Sequence, residues 1–134
     1  MKNKFVYFNR KITRLENNQV FCFGSNLAGR HGAGAAYIAM RFFGAEYGKG
    51  AGFTGRCYAI PTKDKNIRTL PLDEIKLFID SFVLITHKVT DKEFIVTQIG
   101  CGLAGYEARQ IAPLFKGCNP DNTLFDIEWR EYLE

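Results

Sequence analysis

The 134-residue sequence has little of what a metal centre or a disulfide framework requires. It contains two histidines and four cysteines, and Cys22, Cys57, Cys101 and Cys118 form no Cys-x-x-Cys pair. Zinc sites place such ligands at short, regular spacings, so no metal site is predicted. Disulfides would need an oxidising compartment, for which no other feature of the sequence argues. We therefore predict four buried free thiols, no metal and no cofactor.

Long apolar runs are also missing. No run reaches the length of a membrane span, and the first residues lack the apolar core and cleavage site of a signal peptide. A hydrophobic content of 46% and an aromatic content of 14% suit one globular domain over residues 1–134 with a substantial core. The expectation is a soluble, cytoplasmic protein without a membrane partner.

Charge is unevenly distributed along the chain. The formal net charge is +4, but residues 119–134 contain five acidic residues against a single arginine, Arg130. This tail is therefore about −4 and the rest of the chain about +8. A basic body fits a protein that binds anionic small molecules, and it also fits weak contact with nucleic acid. Charge by itself leaves both alternatives open.

Short apolar runs alternate along the chain with stretches of helical periodicity, and this alternation predicts the fold. Apolar runs predict strands, which we place at residues 5–8, 11–15, 19–23, 56–60, 94–99 and 123–127. Helical periodicity predicts helices at 32–43, 71–89 and 106–115. Strands alternating with helices are typical of a parallel sheet that is covered on both faces. The predicted fold class is α/β, with three α/β/α layers around a mainly parallel mixed sheet.

Other stretches carry weaker signals. The glycine-rich segment 44–55 has no periodicity and is predicted to be flexible, and 62–66 is predicted to be a polar loop after Pro61. Pro113 predicts a kink in the third helix, or a helix that begins only there. Residues 129–133 fit either an edge strand or a helical turn.

Two glycine-rich turns give the strongest functional signal. The first, at 24–34, follows the apolar run Val20 to Phe23 and precedes a helix of small residues. The second, at 100–105, follows the predicted strand 94–99. Ligands of parallel sheets bind beyond the carboxyl ends of the strands. Because the free N–H groups of a helix start attract anions, the two turns predict a site for a phosphate-bearing small molecule.

Neither turn fits a common nucleotide motif. The first turn has glycines in a Gly-x-x-Gly-x-Gly order, but no acidic residue closes a nearby second strand to bind a ribose hydroxyl. A Walker loop would need a Gly-Lys-Ser or Gly-Lys-Thr sequence, and neither turn is followed by one.

Four side chains at these turns are candidates for chemistry. Asn26 could orient a ribose hydroxyl or a water, or simply bond to its own turn. His31 could act as a general base or contact a phosphate, or be only solvated. Lys63 could be a cation or nucleophile at the same sheet edge, or a surface lysine. Cys101 lies between two glycines at a predicted helix start, which would stabilise a thiolate, although a compact side chain in a tight turn explains it equally well.

The two turns resemble the ligand loops of macrodomains. Residues 20–36, VFCFGSNLAGRHGAGAA, resemble the first loop of that family, and residues 94–115, FIVTQIGCGLAGYEARQIAPLF, are similar to its diphosphate-binding loop. The stretch Tyr-Ala-Ile-Pro-Thr-Lys at 58–63 resembles the intervening strand in the branch that removes terminal ADP-ribose from protein carboxylates. The resemblance covers residues 19–127 and implies a single macrodomain-like domain.

The resemblance implies an ADP-ribose-type ligand, either free or attached to a macromolecule. The second turn would hold the diphosphate through backbone N–H groups, the first would close from the other side, and Asn26 would lie near the distal ribose. The implied ligand-binding residues are Ser25, Asn26, Gly32, Ala33, Gly34, Thr62, Gly100, Cys101, Gly102, Leu103, Ala104, Gly105 and Tyr106. Binding is the first hypothesis. The alternatives are an ADP-ribosyl hydrolase that uses Asn26, Lys63 or His31, and a protein that contacts nucleic acid through its basic body.

The sequence departs from the family at two acidic positions. Residues 10–13, Arg-Lys-Ile-Thr, contain no carboxylate where many macrodomains hold adenine with one. In the glycohydrolase branch a lysine acts together with an aspartate of the second loop. Lys63 matches the lysine, but Ala104 occupies the position of the aspartate, and Glu107 lies close to it without matching.

Overall fold

The computed structural model of the protein describes residues 5–134, so the first four residues of the predicted domain lie outside the described part. Six strands and four α-helices follow one another, together with 3₁₀ turns at Ala112–Phe115 and Ile127–Trp129. The strands are β1 (Val6–Phe8), β2 (Gln19–Asn26), β3 (Gly52–Thr54), β4 (Cys57–Lys63), β5 (Glu93–Val96) and β6 (Thr123–Asp126). The helices are α1 (Gly34–Phe43), α2 (Leu72–Lys88), α3 (Ala108–Ile111) and α4 (Arg130–Leu133).

The strands form one mixed sheet in the order β1–β6–β5–β2–β4–β3. All neighbours are parallel except β3, which pairs antiparallel with β4 at one edge. This arrangement confirms the predicted α/β class and the mainly parallel sheet. β2 and β5 lie at the centre, so their carboxyl ends are close together, as a site built from both glycine-rich turns requires.

Alternating residues of the central strands send their side chains to two separate cores. Val20 and Cys22 pack with α2 on one face, whereas Phe21 and Phe23 pack with α1 on the other. The apolar stripe of α2 is buried at Ile75 and at residues 79, 82 and 86. Helices therefore cover both faces of the sheet, as predicted from the alternation of apolar runs and helical periodicity.

The central strands β2 and β4 are longer than predicted, because they pair with each other beyond their apolar runs. Gly24 and Ser25 pair with Ile60 and Pro61, and Asn26 pairs with Lys63 after a shift of register. The predicted polar loop at 62–66 therefore begins two residues too early. Pro61 is tolerated inside β4 because β3 pairs only with residues 57–59, so the open edge needs no N–H from the proline.

Other predicted elements also differ from those in the structure. Segment 44–55 is not a featureless flexible stretch, since it contains β3. Residues 11–15 form no strand. β5 ends at Val96, three residues before the predicted end, and the N–H and the hydroxyl of Thr97 both donate to the carbonyl of Cys22, at 3.2 and 2.8 Å.

The carboxyl-terminal third of the chain is more helical and more broken than predicted. The helix expected at 106–115 is a four-residue α3 followed by a 3₁₀ turn, because Pro113 has no N–H for an α-helical bond. Residues 129–133 are helical, which excludes the alternative of an edge strand. Among residues 5–134, no helix has the length and apolar character needed to cross a membrane.

Candidate functional site

A cleft of about 760 Å³ opens at the carboxyl ends of β2, β4 and β5. Two loops form its walls: the first glycine loop, residues 27–33 between β2 and α1, and the second glycine loop, residues 97–107 between β5 and α3. All the predicted ligand-binding residues line the cleft except Gly105 and Tyr106, and Lys63 lines it as well. The structure thus brings the two turns together at one site.

Helix α1 presents an uncapped N-terminus to this cleft. Its N-cap residue is Ala33, which has no side chain that could bond to the first turn, and that turn contains no acidic residue. The N–H groups of Gly34, Ala35 and Ala36 make no hydrogen bond within residues 5–134, and all three residues line the cleft. Free N–H groups at the positive end of a helix dipole form an anion site.

The second glycine loop is held in shape by bonds at its ends. The N–H of Tyr106 donates to the carbonyl of Gly100 at 2.9 Å, and the Tyr106 hydroxyl donates to the carbonyl of Leu70 at 2.6 Å. The Thr69 hydroxyl donates to the carbonyl of Ala104 at 3.0 Å. The Tyr106 side chain therefore anchors the loop to Leu70 and does not line the cleft.

These anchors leave donors free at the tip of the loop. The N–H groups of Gly102, Leu103 and Ala104 have no partner in the described part of the chain, and all three residues line the cleft. Successive free N–H groups in a tight turn form a concave site for an anion. The cleft therefore has unbonded donors from both glycine-rich segments.

A helix start does not contribute to this second wall. α3 begins only at Ala108, and the N–H of Glu107 donates to the side-chain oxygen of Gln110 at 2.9 Å. Cys101 consequently does not lie at a helix N-terminus, contrary to the prediction. Glu107 is also bonded to Arg109 and does not line the cleft, so it cannot replace the missing aspartate at Ala104.

The charge lining the cleft has one sign. Arg30 and Lys63 line it, whereas no aspartate or glutamate of residues 5–134 does. Neither cation forms an ion pair within the described residues. Two cations and free N–H groups on one cleft favour a ligand with negative charge, and they disfavour carboxylate-based acid–base chemistry.

The side chain of Asn26 forms two hydrogen bonds within the first glycine loop. Its Nδ2 donates to the carbonyl of Arg30 at 3.0 Å, and its Oδ1 accepts the N–H of Arg30 at 2.9 Å. This is the turn-stabilising role that was the alternative to ligand contact. The second hydrogen of Nδ2 is the donor that this side chain retains for a ligand.

The hydroxyls of Ser25 and Thr62 also act within the fold. Ser25 donates to the carbonyl of Gly50, and Thr62 donates to the carbonyl of Ser25 at 3.2 Å. Both residues are buried at the floor of the cleft. They tie the ends of β2 and β4 to the segment 46–50, so the floor is fixed before any ligand binds.

His31 does not line the cleft. It is fully buried, and its Nε2 lies 2.9 Å from the carbonyl of Glu46 and 3.1 Å from that of Lys49. Because carbonyl oxygens only accept, Nε2 carries the proton and is occupied. The Nδ1 atom is buried and has no hydrogen-bond partner among residues 5–134. His31 therefore fastens the first glycine loop to segment 46–50, and the structure gives it no access to a reacting group.

Several lining residues were not predicted from the sequence. They are Gly24, Arg30, Ala35, Ala36, Tyr47, Ile67, Thr97, Gln98 and Ile99. Gly24 and Arg30 lie inside the first turn, and the lining residues next to either turn could have been found by extending each turn by two or three positions. Tyr47 and Ile67 carry no such signal, because tertiary contacts alone bring them to the cleft.

Cys101 is the one thiol of the described chain that is not fully buried, and burial raises its pKa above the ordinary value. A raised pKa leaves less thiolate at neutral pH, so its reaction with Ellman's reagent should be slower at pH 7 than that of a small free thiol, and should accelerate as pH rises past 9. Burial raises the pKa of Cys57 and Cys118 to about 12.

We expect the native protein to label first at Cys101, as followed by absorbance and by mass spectrometry. The Cys101→Ser variant is the control and should show no early phase. An early phase that persists in this variant would contradict the burial of the other three thiols.

Comparisons with protein-family models, with curated proteins and with solved structures found no match to this chain. The functional interpretation therefore depends on the chemistry of the cleft. That chemistry consists of two sets of unbonded N–H groups, two cations and no carboxylate within residues 5–134.

Proposed function

We propose that the protein binds ADP-ribose or a related nucleotide in the cleft between the two glycine loops. The supporting observation is the pairing of free N–H groups at residues 34–36 with free N–H groups at residues 102–104 across one cleft. Donors on two walls match the oxygens of a diphosphate. Neutral backbone donors also bind a diphosphate without needing a cluster of cationic side chains.

The size and charge of the cleft support the same proposal. Small-molecule sites usually enclose about 300–1,000 Å³, a range that includes the 760 Å³ cleft. Arg30 and Lys63 add positive charge at its rim, and no lining carboxylate from residues 5–134 repels a phosphate. The resemblance of both loops to macrodomain loops suggests the ADP-ribosyl class, and a macrodomain-like fold forms part of the proposal.

Binding is favoured over hydrolysis. In the glycohydrolases that the sequence resembles, a lysine acts with an acidic partner, but Ala104 occupies that position and Glu107 is committed to α3. His31 is buried away from the cleft and Asn26 is bonded to its own loop. Lys63 therefore has no acid–base partner within the described cleft. Contact with nucleic acid through the basic body stays a prediction.

Isothermal titration with ADP-ribose tests the proposal directly. We expect one site per chain and a rise in melting temperature with ligand concentration, since a ligand that binds only the folded state stabilises it. ADP and ribose 5-phosphate serve as partial ligands and should bind more weakly. The absence of both heat and thermal shift at millimolar ADP-ribose would refute the proposal.

A further inference from the structure

Ile67 has an unusual backbone conformation at the rim of the cleft. Its φ is 63°, and it is the only non-glycine residue in the described chain with a positive φ. A β-branched side chain is among the least suited to this left-handed region, which glycine and asparagine enter readily. Strain of this kind is typical of functional sites, where surrounding structure imposes it.

A tight turn imposes this conformation. The Asp64 carboxylate accepts the N–H groups of Asn66 and Arg68 at 2.8 and 3.0 Å, and the N–H of Asp64 donates to the carbonyl of Arg68 at 2.8 Å. Glycine or asparagine at position 67 would complete the same turn without strain. The isoleucine instead places an apolar side chain, 37% exposed, on the lining of the cleft.

Leu103, in the second glycine loop, is a second exposed apolar side chain that lines the cleft. It is 72% exposed and lines the cleft from the tip of the second glycine loop. The bonds from Thr69 to Ala104 and from Tyr106 to Leu70 connect this loop with the chain that follows Ile67. We call Ile67 and Leu103 the apolar lip.

The apolar lip adjoins the donors proposed to hold the diphosphate, because Leu103 itself contributes one of the free N–H groups. Aliphatic side chains cannot bind phosphate oxygens, but they can cover the face of a sugar or base attached to that phosphate. Such contact removes apolar surface from water on both sides. A bare diphosphate would leave the lip exposed.

We propose that Ile67 is a specificity-determining residue whose side chain, with that of Leu103, packs on the nucleoside portion of the bound nucleotide. This inference rests on the proposed function of the cleft. It explains why a strained isoleucine occupies a turn that asparagine would fit. Position 67 is then a compromise in which the free protein is less stable than it could be and the complex is tighter.

Two substitutions separate side-chain contact from backbone strain. Ile67→Asn relaxes the strain and removes the apolar contact, so its melting temperature should equal or exceed that of the wild type. Its affinity for ADP-ribose should fall roughly five- to twentyfold, the size expected when a partly buried aliphatic contact is lost. Ile67→Val keeps both the β-branch and most of the apolar surface, and should bind within about twofold of the wild type.

The experiment measures the affinity for ADP-ribose by titration calorimetry and the melting temperature by thermal unfolding. It compares the wild type with Ile67→Asn, Ile67→Val and Leu84→Asn. Leu84 is an exposed leucine of α2 outside the cleft lining, so its variant should bind normally. If the wild type binds but Ile67→Asn binds equally well, the role of the lip is overturned while the proposed function stands. A lower melting temperature for Ile67→Asn would also overturn it, because Ile67 would then serve the fold. If the wild type does not bind ADP-ribose, the proposed function itself fails.

Discussion

The variant Ala33→Asp should fold more stably than the wild type and lose at least about 100-fold in affinity for ADP-ribose, since the losses of a charge-assisted hydrogen bond and of charge complementarity combine. Ala33 already has the extended backbone of an N-cap, with φ −153° and ψ 161°, but no capping side chain. An aspartate there would accept the N–H of Ala35 or Ala36 and stabilise α1 by about 1 kcal/mol.

The same carboxylate would occupy the donors assigned to the ligand and place negative charge where a phosphate is proposed to bind. Opposite effects on stability and affinity are the signature of this mechanism, because a merely damaged site would lower both. Urea unfolding measures the first quantity and titration calorimetry measures the second.

Two controls isolate the cause. Ala33→Ser caps the helix without charge, so it should stabilise the fold and weaken binding by only about tenfold, as expected for the loss of roughly one hydrogen bond to a charged group. Thr90→Asp adds the same charge outside the cleft lining and should leave affinity unchanged, because salt screens exposed charges beyond about 8–10 Å. Wild-type affinity in Ala33→Asp would show that the α1 N-terminus holds no anion.

The variant Gly29→Ala should lose about 3–4 kcal/mol of unfolding free energy, combining a left-handed backbone cost with overpacking. Gly29 has a φ of 72°. A Cβ atom on it would lie 2.3 Å from the carbonyl carbon of Gly48 and 2.4 Å from the backbone nitrogen of Lys49. Both are main-chain atoms, which cannot rotate away as the end of a side chain could.

Several hydrogen bonds hold the segment 46–50, with which the added Cβ atom would clash. The N–H of Gly48 donates to the carbonyl of Gly29 at 2.8 Å, His31 bonds to the carbonyls of Glu46 and Lys49, and Ser25 bonds to that of Gly50. Moving the segment would break several of these bonds together. This connection explains why the expected loss is larger than for an ordinary loop glycine.

Gly32→Ala is the matched control, because it lies in the same loop. Gly32 does not have a positive φ, and an added Cβ would meet nothing within 4 Å. Its stability should change by less than about 0.5 kcal/mol, as for most open surface positions. Urea unfolding of both variants tests the prediction, and equal losses at the two positions would show that the close approach to Gly48 does not matter.

The sequence alone determined the α/β class, the central strands, the long helix α2 and the two glycine-rich turns. These features depend on local periodicity and turn residues, which a single chain displays directly. It also indicated that both turns would meet at one sheet edge, because the carboxyl ends of neighbouring parallel strands share an edge.

Only the tertiary structure decided what each side chain at that edge does. His31 and Asn26 looked like candidates for chemistry, but long-range and loop contacts commit them to holding the first glycine loop. Tyr47 and Ile67 reach the cleft from segments without a recognisable pattern. The physical reason is that a polar side chain satisfies its hydrogen bonds with whichever partners folding brings near, and sequence spacing does not reveal those partners.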